Sequence, residues 1–192
     1  MPLITPTQVT VLSDTTMTVG TIIAMDLIGE IREQINLLTN NYFTSELYVQ
    51  NTMTFNKTAR TIISGDSFEE FGFAAADEIY IANSYRNDGY YTVASVVGET
   101  LTLASGDSVI SELSGRSVLI SVVQWPRAIK KAAALMISYD WDIRKRNAKG
   151  LTSRTLGPLT EHYALGGSVD NGSAYPKEIT DLLIPYRVAR LS

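Results

Sequence analysis

A single histidine, His162, and the absence of cysteine limit the chemistry this chain can do. Without thiols there is no disulfide, no cysteine nucleophile and no zinc-thiolate site. One imidazole cannot form a histidine cluster for a metal, and no second histidine shares acid–base work. A serine hydrolase would need His162 as its base, yet no G-x-S-x-G elbow supplies the nucleophile. The glycine patterns that cradle phosphates, G-x-x-x-x-G-K-[ST] and G-x-G-x-x-G, are missing too. Carboxylates occur as near neighbours, Asp140 with Asp142 and Glu69 with Glu70. Side chains one or two apart on a helix diverge, so neither pair is a ready acid–base couple. Carboxylates can pair through space in glycosidases, but nothing else in the chain suggests a sugar cleft. The expectation is a non-enzyme with no catalytic residue, no metal and no cofactor.

Charge points instead to surfaces. The formal net charge is −4, the wrong sign for a dedicated nucleic-acid binder. Residues 66–112 hold nine acids against one base, Arg86, a net of −8. Residues 127–149 hold seven bases against Asp140 and Asp142, a net of +5. The plainer reading is two solvated faces; the sharper one is complementary surfaces that meet between subunits. Tyr85, Tyr90 and Tyr91 flank the Asn87-Asp88-Gly89 turn, and Phe68, Phe71 and Phe73 precede it. Such aromatics could stack on bases, but the local acidity repels a phosphate backbone. Packing in a core is the better account of them.

The elements that position these residues follow from periodicity. Thr5-Pro6-Thr7-Gln8 carries the marks of a helix start, with Thr5 as cap, Pro6 in the first turn and Gln8 closing a capping box. A longer helix is predicted from near Thr18 to Leu38, with Leu27 or Ile28, Ile31, Ile35 and Leu38 on one side. Asn40-Asn41 is its stop. The period then becomes two. Leu47, Val49, Met53 and Phe55 alternate with polar residues, and further strands are predicted at 59–64, 78–82, 90–97, 100–103 and 117–123. Short strands separated by polar glycine turns suggest a small barrel or sandwich. Helical period returns at Trp125-Pro126 and runs to Gly150, with Ile129, Ala132, Met136, Tyr139 and Ile143 as its apolar stripe. A possible hairpin arm follows through Leu156-Gly157-Pro158-Leu159, and then a short helix from Lys177 to Ile184 that Pro185 ends. The predicted class is α+β: a small α-helical bundle with an inserted antiparallel β barrel or sandwich, and an extended C-terminal arm and tail. The domains would be 1–43 for the first helices, 44–124 for the β insertion, 125–150 for the long helix and 151–192 for arm, terminal helix and tail. No stretch approaches the roughly 20 apolar residues of a membrane span, and no signal peptide is expected at the start.

Four segments, in order, carry a family resemblance. They are Leu3-Ile4-Thr5-Pro6-Thr7-Gln8-Val9; the helix from Pro126 to Gly150 with Ile129-Lys130-Lys131-Ala132 and the basic end Arg144-Lys145-Arg146; the stretch from Ser153-Arg154 to His162-Tyr163; and Tyr175-Pro176-Lys177-Glu178 running on to Ile184-Pro185-Tyr186-Arg187. Together they resemble the head-tail connector, or adaptor, proteins of tailed phages, which form the ring beneath the portal. The likeness covers about residues 1–43 and 125–192, and the β region departs from the compact all-helical members. It implies a structural virion protein at the neck: a dodecameric ring of copies, docked on the portal protein on one side and on a stopper or tail protein on the other. DNA would pass through the centre without specific binding, and no membrane is involved. The alternative is another neck, tail-completion or decoration protein acting as a β-domain binding module. Candidate interface residues are Lys130, Lys131, Arg144, Lys145, Arg146, Arg154, Tyr175, Pro185, Tyr186, Arg187 and Arg190. The segment after Pro185 is expected to leave the body as a docking tail, because tyrosine and arginine are frequent interface anchors.

Overall fold

The computed structural model describes residues 3–13, 17–24, 26–145, 153–156, 159–162 and 175–189. The chain divides into two compact units, one of residues 42–125 and one of residues 3–41 with 126–192.

The first unit is an antiparallel sheet of seven strands: β1 (Thr44–Thr52), β2 (Thr54–Asn56), β3 (Thr61–Ile63), β4 (Glu78–Ala82), β5 (Gly89–Val97), β6 (Thr100–Leu103) and β7 (Ser117–Val123). Their order across the sheet is β1-β7-β4-β5-β6-β3-β2. The alternation in each strand places one face in the core, with Ile79 and Ile81 of β4, Ile62 of β3, Leu101 and Leu103 of β6 and Ile120 of β7 fully buried. Phe55 and Phe68 are the largest side chains sealed there. β5 serves two neighbours. Its first half pairs with β4 (Tyr80 opposite Tyr90) and its second half with β6 (Val97 opposite Thr100), with an irregularity between Val93 and Ser95. The ends of the order, β1 and β2, are consecutive in the chain and separated only by Met53.

β1 carries a wide bulge. Thr44 lies opposite Val123 and Tyr48 opposite Ser121, so extra residues of β1 face a shorter run of β7. The buried Ser121 hydroxyl sits 3.0 Å from the Ser45 carbonyl and 3.3 Å from that of Leu47, and supplies a donor the ladder lacks there.

The second unit is helical: α1 (Pro6–Ser13), α2 (Val19–Ala24), α3 (Leu27–Thr39), α4 (Arg127–Lys145) and α5 (Lys177–Thr180), then a 3-10 turn at Ile184–Tyr186. The capping box at its start is formed. The Gln8 amide donates to Thr5 Oγ1 at 3.2 Å, and the Thr5 amide to Gln8 Oε1 at 2.9 Å. α1 and α3 both pack on α4, whose buried residues include Ile129, Ala132, Ala133, Met136 and Ile137. The one long helix expected from Thr18 is broken. Asp26 is left-handed (φ 46°, ψ 36°) and separates α2 from α3. Asn40 is left-handed too and ends α3, its amide donating to the Asn36 carbonyl at 2.7 Å. A two-stranded hairpin, β8 (Ser153–Leu156) with β9 (Leu159–His162), places Leu156 opposite Leu159.

This architecture corrects the expected class. Periodicity predicts a small α-helical bundle with an inserted antiparallel β barrel or sandwich and an extended C-terminal arm and tail. Regular structure is instead mainly one seven-stranded antiparallel sheet, and the helices are few and short apart from α3 and α4. Period two tells which side of a strand is buried but not how strands are ordered into layers. Here the long β5 carries pairing continuously from β4 to β6. The end of the chain is corrected as well. Rather than leaving the body, residues 186–188 lie along the end of α3. The Val188 amide donates to the Thr39 carbonyl at 2.8 Å, Asn40 Nδ2 to the Val188 carbonyl at 3.3 Å, and Asn41 Nδ2 to the Tyr186 carbonyl at 3.2 Å. The expected helix from Lys177 to Ile184 is also shorter: α5 stops at Thr180, Pro185 lies inside the 3-10 turn rather than ending a helix, and the paired asparagines hold the chain beyond it.

Candidate interaction surface

The acids of the sheet unit are largely spent on its loops. Asp107 Oδ2 accepts from the Thr92 amide at 2.6 Å, Asp77 Oδ2 from Ala74 at 2.9 Å, and Glu69 Oε2 from Gly98 at 3.1 Å. Asp88 Oδ1 accepts from both the amide and the hydroxyl of Ser84 at 2.7 Å. Asp66 takes the Asn51 side-chain amide at 2.8 Å, and buried Glu78 the Trp125 indole N–H at 2.6 Å. Turn amides have no ladder partner, and a carboxylate satisfies them with a charge-assisted bond. Much of the local −8 is therefore internal scaffolding rather than a free acidic face.

Glu112 takes the largest single share of this work. Its carboxylate accepts from the amides of Tyr85 at 3.1 Å and Arg86 at 2.7 Å and from Asn87 Nδ2 at 2.6 Å, while its backbone exchanges two hydrogen bonds with Phe55 of β2. Buried Asn87 completes the tie, donating to the Ile110 carbonyl at 2.9 Å and accepting from the Ile110 amide at 2.7 Å. Two loops, residues 84–88 and 110–116, are thus locked together. Exposed on them are apolar Tyr85 and Leu113 and basic Arg86 and Arg116, together with Asp88, Ser111 and Ser114. Tyr85 is 66% exposed and Leu113 87% exposed, and the Arg116 guanidinium stands 5.3 Å from the centroid of the Tyr85 ring, a cation–π pair. Arg86 is exposed beside them.

A second aromatic group lies on β4 and β5 and the segments flanking the sheet. Tyr42 stacks on Tyr80 with centroids 4.4 Å apart, Tyr80 meets Tyr90 at 5.0 Å, and Tyr90 meets Trp125 at 5.8 Å. Burial, then the neighbouring Tyr42 and Asp88, push the Tyr80 hydroxyl well above its ordinary range. Burial first, and then Asp107, Asp88 and Glu112, raise Tyr91 likewise. Tyr139 is raised by burial and by Asp140. All three stay neutral near pH 7 and offer no activated oxygen. Among the described residues no three His, Cys, Asp or Glu stand together to hold a metal ion. No helix among them is long and apolar enough to cross a membrane.

The residues singled out from sequence are scattered. Lys131 is exposed and Lys130 half-buried on the first turns of α4. Arg144 and Lys145 stand at its other end, while Arg146 and Arg190 lie outside the described residues. Arg154 is on β8 opposite Glu161. Tyr175 is buried, with its ring 5.9 Å from Tyr139 and its hydroxyl donating to Asp140 Oδ2 at 2.9 Å, so it belongs to the packing of the helical unit. Pro185, half-buried Tyr186 and exposed Arg187 sit in and after the 3-10 turn. What sequence reading missed is the Tyr85 tip. In sequence Tyr85 is only an aromatic beside a turn, and nothing there singles out Leu113 or Arg116. The signal was an apolar residue and two arginines in loops, where burial gives no reason for them.

No protein-family model matches the chain, and no curated protein matches it. Among solved structures, phage phi92 endosialidase is similar to it over 39% of this chain, at 22% identity and a TM-score of 0.30; the chain spans 12% of that protein's length.

Proposed function

We propose that this chain is a structural, non-enzymatic subunit of a tailed-phage particle, a head-to-tail adaptor. Copies close into a ring at the neck, between the portal protein and a stopper or tail protein, and DNA passes through the ring without specific binding. The observation that carries the reading is the way the chain partitions. The segments that carry the adaptor resemblance come from both ends of the sequence, and residues 3–41 and 126–192 gather into one compact unit. Within it, the opening segment supplies the capping box of α1, and the terminal segment closes on α3. Heterologous faces on each subunit close a ring when their rotation sums to a full turn. A net charge of −4 per copy disfavours adhesion of the passing phosphates.

A decoration or tail-completion role is the second reading. It is favoured by the sheet unit, whose locked loops present exposed Tyr85 and Leu113 as a binding module would. Particles assembled without this protein separate the two. The adaptor reading predicts filled heads that accumulate free of tails, whereas joined particles at normal yield would overturn it.

A further inference from the structure

β5 has a different kind of surface at each of its ends. At its start, beside the Asn87-Asp88-Gly89 turn, stands the locked tip with Tyr85, Arg86, Leu113 and Arg116 outward. At its other end Val97 is 72% exposed, with Phe71 and Ile63 also exposed. Register joins part of this patch: Val97 lies opposite Thr100, and Thr100 opposite Ile63, so the three share one face across β5, β6 and β3. The loop bearing Phe71 is fastened to the same turn, because the Glu69 amide donates to the Gly98 carbonyl at 3.4 Å and Gly98 donates back to Glu69 Oε2. Exposed Glu70 and Glu99 border it. One end of β5 is therefore apolar with two exposed arginines at its rim, where the Asp88 and Glu112 carboxylates are engaged by loop donors, and the other is apolar with an acidic rim. The nine residues of β5 set them roughly 26 Å apart along the strand.

We propose that these two ends dock on one another between neighbouring copies of this chain, the Tyr85 tip of one on the Val97 patch of the next. The occupant is a second copy because both patches offer apolar area to bury, and the exposed Arg86 and Arg116 of one can meet the exposed Glu70 and Glu99 of the other. Arg86 is the only base in residues 66–112, and it stands at the end of β5 away from Glu70 and Glu99. Because the two surfaces differ and lie apart on one body, the contact is heterologous and repeats from copy to copy, closing or extending as the rotation dictates. This deepens the adaptor reading and rests on it for the closure into a ring. Loops held by Glu112, Asn87 and Glu69 lose little freedom on contact, which favours association through small patches.

The test uses the full chain and two charge-reversed variants, Arg86→Glu with Arg116→Glu, and Glu70→Lys with Glu99→Lys. All four positions are exposed, and circular dichroism and melting confirm that both variants fold. Sedimentation from micromolar to millimolar concentration is expected to show self-association of the natural chain that weakens as salt rises. Each variant alone should then bind itself about tenfold or more weakly, and an equimolar mixture of the two should recover association, because acidic ends then meet basic ones. A natural chain that stays monomeric throughout, variants that associate like it, or a mixture no better than its parts overturns the proposal. Rings that persist unchanged in both variants would remove this interface and leave the adaptor reading standing. The expected mixing behaviour, found alongside normal head–tail joining without the protein, would keep the interface and remove the adaptor role.

Discussion

The Val188 amide donates to the carbonyl of Thr39 across 2.8 Å, joining the last described strand of chain to the end of α3. Thr39 is buried, and the next residue, Asn40, turns left-handed and holds the Val188 carbonyl in return. The carbonyls at a helix C-terminus lack partners within the helix, and here a segment almost 150 residues away in sequence satisfies one of them. The terminal residues thus finish the fold of the helical unit.

Deleting residues 187–192 should therefore destabilise the chain. Two tertiary hydrogen bonds disappear, each worth about 1 kcal/mol. A fall of roughly 5 °C in melting temperature is expected. An unchanged melting curve would mean that the contacts are idle and the segment is free.

Glu112→Ala should cost more. It removes the acceptor of two loop amides and of one of the two bonds that Asn87 Nδ2 donates, for a loss of about 2–3 kcal/mol in urea unfolding. Glu112→Gln keeps one neutral acceptor oxygen and should fall between. Equal stability for Glu112→Ala and the natural chain would show that the loop lock carries no energy.

Ser121→Ala should cost about 1 kcal/mol, because the bulge carbonyls of Ser45 and Leu47 lose their shared donor inside a buried site. Ser121→Thr retains the hydroxyl and is the control for loss of the donor alone. If the alanine variant unfolds at the natural chain's urea midpoint, the hydroxyl is dispensable to the bulge.

Tyr80 gives the fold an alkaline limit. Its hydroxyl is held protonated above the ordinary value of 10.0, chiefly by burial and then by Tyr42 and Asp88. A raised folded value contributes stability that is complete below pH 10 and is lost as pH climbs toward the folded value. The natural chain should lose more stability between about pH 8 and about pH 11 than Tyr80→Phe does, as read from urea midpoints at the two pH values. Identical losses would assign the alkaline limit to other groups, Tyr91 first.

Much of the secondary structure was legible in the sequence, and the arrangement less so. The strands at Glu78–Ala82, Thr100–Leu103 and Ser117–Val123 fall where alternation and turn residues placed them, because burial of one face is a local pattern. The capping box of Thr5 and Gln8 is equally local. The break at Asp26 is not, since the apolar spacing runs through it and only a left-handed residue reveals it. Strand order was hidden because it depends on which strands β5 serves on either side of its irregularity. For the surface, net charge misled. Asp107, Asp77 and Glu112 count as charges in sequence but act as loop acceptors in the fold. Tyr175 is an interface candidate in sequence, yet a partner 35 residues earlier, Asp140, holds it inside.

The most direct test of the adaptor account is electron microscopy of the intact phage particle with this chain marked by a bound antibody fragment. The account predicts label at one vertex only, in the neck between head and tail. Label spread over the capsid surface or at the far end of the tail, or its absence from the particle, would contradict it.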